Sequence, residues 1–310
     1  MKKIIIYVFA MLFCIKATAQ GCSDAGFCTA GNLKTMNFKR DSIKNSLNFS
    51  LNYSQGERGT VIIVPQFEPT VKTSEKSFVQ LKIPYMYING TLSNTKGLGD
   101  VIINYNYIFD SIIKYKFSAT VGVKIASGSA SLKSDGKCLP MPYQISLGTT
   151  DFIAGIKINF KHNLSVSLGL QIPMFNINQN SFDSSAFMFF SNRDSLENSK
   201  NYFISSGLKR KSDLMMRIDK VINFKKSRIS LGILPIYHLG KDEVKTSNLN
   251  SVFDEDSKGI TLNANTGINF MVSKKSSLNF IAAIPLVVRK SRPDGLTRKF
   301  IAMFSFNYEM

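Results

Sequence analysis

The sequence predicts an all-β chain closed into an antiparallel transmembrane β-barrel of about twelve strands. Three observations carry this. The first is a period of two in hydrophobicity. In 114–125, Tyr115, Phe117, Ala119, Val121, Val123 and Ile125 alternate with Lys114, Lys116, Ser118, Thr120, Gly122 and Lys124, the pattern of a strand with one greasy and one polar face. The second is strand length, about 10–14 residues against the 5–6 usual in soluble sheets. The third is the placing of aromatics at strand ends, as in Tyr105, Tyr107 and Phe109 or Phe304, Phe306 and Tyr308, where an interfacial girdle needs them.

Composition agrees. The 310 residues are 44% hydrophobic and 11% aromatic with a formal charge of +18, so the chain can bury a core and disorder is excluded. Beyond the first 20 residues no window approaches 18 consecutive apolar residues, which excludes a helical membrane bundle. Two histidines and four cysteines argue against a histidine-centred metalloenzyme and against a disulfide-dense scaffold. No cofactor and no metal site is expected.

Residues 1–19 read as a signal peptide. Met1-Lys2-Lys3 is a positive start, Ile4 to Ile15 an apolar run, and Ala17-Thr18-Ala19 a small-x-small cleavage pattern. A lipoprotein signal ending at Cys22 fits less well, because Gln20 replaces a small residue. Export to the envelope of a two-membrane bacterium follows. Without the leader, 36 basic residues face 21 acidic ones, a net +15. In an exported protein this suggests lipid headgroups or an anion-attracting lumen and no nucleic-acid partner.

Twelve candidate strands cover 45–54, 60–67, 76–89, 99–109, 114–126, 149–160, 163–174, 212–224, 228–239, 259–272, 276–289 and 298–310. Pro65 and Pro84 weaken two of them by removing ladder donors, so ten or fourteen strands stay open. Short turns (110–113, 161–162, 225–227, 273–275) alternate with long polar connections (127–148, 175–211, 240–258, 290–297), and only 55–98 is unclear. In bacterial barrels short turns face the periplasm, which puts both chain ends there.

Phase places Lys116, Lys124, Asp151, Lys157, Arg217 and Asp219 on the inner face. They either brace the wall as ion pairs or line a solute path. Phe182, Phe187, Phe189 and Phe190 form either a ligand mouth or a lid packed on its own loop. Residues 20–44 precede the barrel, residues 45–310, as a periplasmic or plug segment. There Cys22 and Cys28 are placed to form a small disulfide loop in an oxidising compartment, leaving Cys138 as the odd thiol. His162 falls in a short turn and His238 points inward, neither beside a serine motif, so no catalysis is expected. The partners expected are outer-membrane lipids, the barrel assembly machinery and a small-molecule solute.

Between residues 97 and 155 the chain carries Gly97-Leu98-Gly99-Asp100, Gly122 to Gly128, Leu139-Pro140-Met141-Pro142, and Gly148-Thr149-Thr150-Asp151-Phe152 before Ala154-Gly155. This resembles a family of outer-membrane barrels named for the meta-cleavage pathway of phenol degradation. That family is distantly similar to the barrels that carry fatty acids and aromatic hydrocarbons. The resemblance covers about 60 residues and implies a barrel that admits small hydrophobic molecules. The additional strands and N-terminal plug motif of the fatty-acid channels are not evident here.

Overall fold

The computed structural model describes residues 30–34, 43–109, 115–183, 202–246, 250–296 and 298–310. The proposed leader, Cys22, Cys28, Phe187, Phe189 and Phe190 lie outside the described residues.

Twelve staves form one antiparallel sheet: β1 (Ser46–Gln55), β2 (Val61–Lys72), β3 (Ser77–Asn89), β4 (Asn94–Leu98 and Val101–Ile108), β5 (Lys116–Ile125), β6 (Thr149–Asn159), β7 (Leu164–Asn176), β8 (Asp213–Asn223), β9 (Ser227–His238), β10 (Gly259–Met271), β11 (Ser276–Val287) and β12 (Phe300–Glu309). Each pairs with its neighbour in sequence, and β12 pairs back onto β1 from Ser46↔Glu309 to Gln55↔Phe300. No edge is left unpaired, which is the condition for a sheet inside lipid. Among the described residues no helix is long and apolar enough to cross a membrane.

The alternation runs as the sequence predicts. Leu51, Val121, Ile156, Leu231 and Phe280, on five different staves, are all exposed on the outer wall. Buried positions inside are largely polar: Asn104, Thr120, Asp151, Ser167, Asp219 and Asn263 are each at most 1% exposed. A water-soluble protein does not expose an apolar belt around its whole girth; this wall is built to face hydrocarbon.

Two boundaries differ from the sequence reading, both through proline. Stave β2 runs on to Lys72, past Pro65 and Pro69, because its ladder to β1 stays continuous from Val61 to Thr70. Its ladder to β3 instead falls into three short pieces. Gly97-Leu98-Gly99-Asp100 does not open a strand but breaks one. Stave β4 starts at Asn94 and is interrupted at Gly99–Asp100, where Gly99 N donates to Pro84 O at 2.9 Å. The interruption turns Asp100 towards the lumen.

Both described ends of the sheet sit at the end that carries the turns 73–76, 160–163, 224–226 and 272–275. The described parts of the long connections, 126–148, 177–183, 202–212, 239–246, 250–258, 288–296 and 298–299, lie at the other end, joined by the brief 56–60 and 90–93. The alternation therefore holds through 55–98, where length alone hides it.

Candidate functional site: a lumen with an inner plug and an outer cap

The lumen is occupied. Ala30–Lys34 passes inside the barrel, with Gly31–Leu33 wound as one 3-10 turn and wholly buried. Gly31 N donates to Gln80 Oε1 and Asn32 N to Asn106 Oδ1, both at 3.0 Å. Lys34 Nζ pairs with Glu68 on β2, and Lys157 Nζ on β6 donates to Lys34 O at 3.0 Å. Leu33 rests on the cross-strand glycine pair Gly155 and Gly169; a Cβ on Gly155 would stand 2.7 Å from the leucine side chain. Gly31 has φ +49° and lies so close to Asn106 that any side chain would collide. Leu33 joins Ile102, Met141, Leu147, Ile153, Met215 and Leu234 in an apolar cluster on the lumen side. The sequence reading left the location of this segment open; its signal was the lumen-facing pair Gly155 and Gly169.

The six charged residues placed inside by phase divide into two groups. Lys124 Nζ lies 2.9 Å from Asp151 Oδ2 and 3.4 Å from Asp100 Oδ2, and all three residues are buried or nearly so. Gln171 adds a hydrogen bond to Asp151. Asp219 Oδ1 accepts from Asn265 Nδ2 at 3.2 Å. These groups brace the wall. Lys116, Lys157 and Arg217 line open space. Inward asparagines of β4 and β10 also bond to the wall: Asn106 Oδ1 accepts from Thr120 Oγ1 at 2.7 Å, and Asn263 Nδ2 donates to Leu234 O at 3.2 Å.

That space is a cavity of about 620 Å³ running from Lys161 and Asn163 at the short-turn end to Gln144, Leu147 and Leu296 beneath the long loops. Among the described residues eight basic side chains and three acidic ones line it. Such an imbalance in a low-dielectric tube favours anions.

The long loops fold inwards as a cap. Tyr143 is fully buried, accepts from Leu92 N at 3.1 Å and lies 3.2 Å from the Tyr202 hydroxyl. Phe182 packs with both in a second apolar cluster containing Leu139, Ile62 and Ile88. Phe182 is thus part of a packed lid and 0% exposed. Cys138 is buried and unpaired with sulfur among the described residues.

Beside that cluster sits an ionic one. Arg210 Nε lies 3.1 Å from Asp294 Oδ2, Arg289 Nη2 lies 2.8 Å from the same oxygen, and Arg210 also pairs with Asp213. Burial alone would push the Asp294 carboxyl up. The two guanidiniums outweigh it and hold the group far below the usual carboxylate range. His238 stands between carboxylates, Nδ1 2.6 Å from Asp213 Oδ1 and Nε2 2.9 Å from Asp242 Oδ1. This network ties three loops to the rims of β8 and β9. Its loop members, Arg210, Asp242, Arg289 and Asp294, were not found from sequence, because nothing in a loop's local pattern marks a partner 84 residues away. His162 sits in an exposed turn at φ +60°.

No protein-family model matches the chain, and no curated protein matches it. Among solved structures it is similar to the COG4313 outer-membrane channel from Pseudomonas putida F1, at 11% identity and a TM-score of 0.61, over 88% of this chain and 98% of that one. The NanC porin matches at 8% identity and TM-score 0.47, over 85% of this chain and 100% of the porin. The KdgM porin in complex with disordered oligogalacturonate matches at 10% and 0.44, over 86% and 99%. At such identities the likeness is one of architecture, and the architecture is the closed twelve-stranded barrel of outer-membrane proteins.

Proposed function

We propose that the chain resides in the outer membrane and acts there as a channel for small solutes, favouring anions. The observation that carries this reading is the cavity of about 620 Å³ inside a closed barrel, lined, among the described residues, by eight basic and three acidic side chains. Supporting it, the outward apolar belt suits hydrocarbon, and exposed Lys225, Lys226, Lys274 and Lys275 in the short turns suit anionic headgroups. Ile281, Ile301 and Met303 line the same cavity, which supports passage of solutes with a hydrophobic part. The reaction is passage alone, with no bond made or broken.

A second reading is favoured by the plug and the cap: a non-transporting barrel whose loops serve an interaction or structural role. Single-channel recording in planar bilayers separates the two. Discrete steps with a chloride-over-potassium preference are expected of the channel. A folded, heat-modifiable barrel that stays silent would overturn it.

A further inference from the structure

Charge is absent from one arc of the lumen wall. β10, β11, β12 and β1 are consecutive staves around the barrel, and among the described residues no side chain that they bring to the cavity is ionisable. Every charged residue described along that space comes from another stave, the inner segment, a short turn or the cap.

The middle of this arc is apolar. Cross-strand pairing sets Ile281 beside Met303 and Ala283 beside Ile301, and all four line the cavity. None of them belongs to the apolar clusters of plug and cap. Ile281, Ile301 and Met303 are partly exposed. The frame around the patch is polar and neutral. Towards β1, Met303 adjoins Asn52 and Ile301 adjoins Ser54. Towards β10, Ala283 adjoins Asn265. At the short-turn side the next inward pair is Asn279 and Ser305. Asn52 and Asn279 are partly exposed, and each is oriented by one bond to the wall. Asn52 Nδ2 donates to Val64 O at 3.2 Å, and Asn279 Oδ1 accepts from Asn269 Nδ2. An amide oxygen and an amide nitrogen are thereby presented on two sides of the apolar patch.

These features define the chemistry of an occupant. A charged group against this arc would lose water with no counter-charge beside it. An apolar body wider than the patch would cover the framing amides and leave them unpaired. Neighbouring staves stand about 4.8 Å apart and alternate residues about 6.7 Å apart, so the patch has the footprint of one six-membered ring. A ring with C–H groups on one face and hydroxyls around its edge meets all three conditions, because hydroxyls and primary amides each donate and accept. The cavity of about 620 Å³ is large enough for such a molecule.

From this arrangement we infer that the arc is a binding site for a neutral monosaccharide or cyclic polyol. The ring lies on Ile281, Ala283, Ile301 and Met303, with hydroxyls against Asn52, Asn279 and Ser305. The basic side chains that favour small anions stand elsewhere on the lining, so the two properties occupy different parts of one lumen. The inference deepens the channel reading and rests on it for a physiological role, but binding itself is measurable without transport.

The test is calorimetric titration of the whole folded barrel in detergent, at salt high enough to screen the basic lining. Three six-membered rings serve as probes. Glucose carries hydroxyls without charge, glucuronate hydroxyls with a charge, and cyclohexanol a single hydroxyl. Glucose is expected to bind saturably and roughly fivefold or more tighter than either of the others. Met303→Asn should weaken glucose by roughly fivefold or more through loss of the apolar floor. Asn52→Leu should weaken it by a similar factor through loss of a hydrogen-bonding edge. Should Met303→Asn not give the heat-modifiable folded form, Ile301→Asn replaces it, an asparagine on a wall already rich in asparagine. Equal binding of glucose and cyclohexanol, or of glucose and glucuronate, would overturn the site. So would glucose binding unchanged in the folded variants, or no saturable glucose binding by a folded barrel. Glucose binding by a barrel that conducts nothing would keep the site and refute the channel. Conductance with no glucose binding would do the reverse.

Discussion

Lys157 Nζ on β6 donates to the carbonyl oxygen of Lys34 at 3.0 Å, across 123 residues of sequence. The bond fastens one side of the inner segment to the wall, while Lys34 Nζ reaches Glu68 on β2. Residues 30–34 are thus held inside the lumen at Lys34 by charge, at Gly31 and Asn32 by hydrogen bonds to Gln80 and Asn106, and at Leu33 by its glycine pair. A segment buried inside the barrel stands in the path of an ion. Deleting residues 30–34 is expected to raise single-channel conductance by roughly twofold or more, as a barrel of about twelve strands becomes an open tube. Leu33→Asp, which places a charge in an apolar cluster, should move conductance the same way by less. Unchanged conductance in both would show that ions bypass the segment.

The cap makes a prediction about acid. Asp294 is buried between Arg210 and Arg289, and its carboxyl is held well below the ordinary range. A carboxylate depressed by folding contributes stability that is complete above its unfolded value, about pH 4, and is lost as pH falls towards the folded one. Asp294→Asn should therefore cost about 3–5 kcal/mol near neutrality by leaving two buried guanidiniums short of their anion. The gap in thermal midpoint between variant and wild type should stay level from pH 7 to about pH 5 and narrow only below about pH 4. A gap that widens in acid would contradict the assignment.

These two features also show where reading the sequence stops. The wall was legible because hydrocarbon outside and polar groups inside impose a period of two on every stave, and ten of the twelve fell within a few residues of their expected ranges. The other two departed by five residues each: β2 runs on to Lys72 because its ladder to β1 stays continuous past Pro65 and Pro69, and β4 starts at Asn94, before the break at Gly99–Asp100. The inner segment was not placed, because Ala30-Gly31-Asn32-Leu33-Lys34 is too short to carry a period. Its imprint lay on the wall, in Gly155 and Gly169 at adjacent lumen positions. Phase likewise put Lys116, Lys124 and Lys157 inside. Partnering then separates Lys124, clamped by Asp100 and Asp151, from Lys157, which faces the cavity. Such distinctions depend on residues brought together by closure of the sheet, and no local pattern encodes them.

Lys124 gives a stability test independent of conduction. It is 1% exposed and bonded to Asp151 at 2.9 Å and to Thr149 at 3.2 Å. Lys124→Met removes the cation and leaves Asp151 buried with Gln171 as its remaining partner. The expected loss is about 3–5 kcal/mol, read as a lower temperature for conversion of the folded gel band. The double variant Lys124→Met with Asp151→Leu should recover part of it, since an isolated buried charge costs more than a neutral pair. No recovery would mean that Asp100, 3.4 Å from the lysine, carries the larger share.

The last stave tests closure itself. β12 pairs with β1 over ten residues and with β11 over eight, so its removal opens two ladders at once. In hydrocarbon each unpaired backbone group costs several kcal/mol, because no water replaces the lost partner. Deleting Phe304–Met310 strips the pairing partners from Ser46–Leu51 on one side and from Ser276–Phe280 on the other. Phe306→Ala is a different kind of change. Phe306 is an outward, lipid-facing residue, and truncating it leaves every ladder bond intact. The deletion should abolish the heat-modifiable, trypsin-resistant form, whereas Phe306→Ala should retain it with a modest fall in conversion temperature. If the deleted chain still yields that form in detergent and inserts into vesicles, the β1–β12 seam is not what closes the barrel.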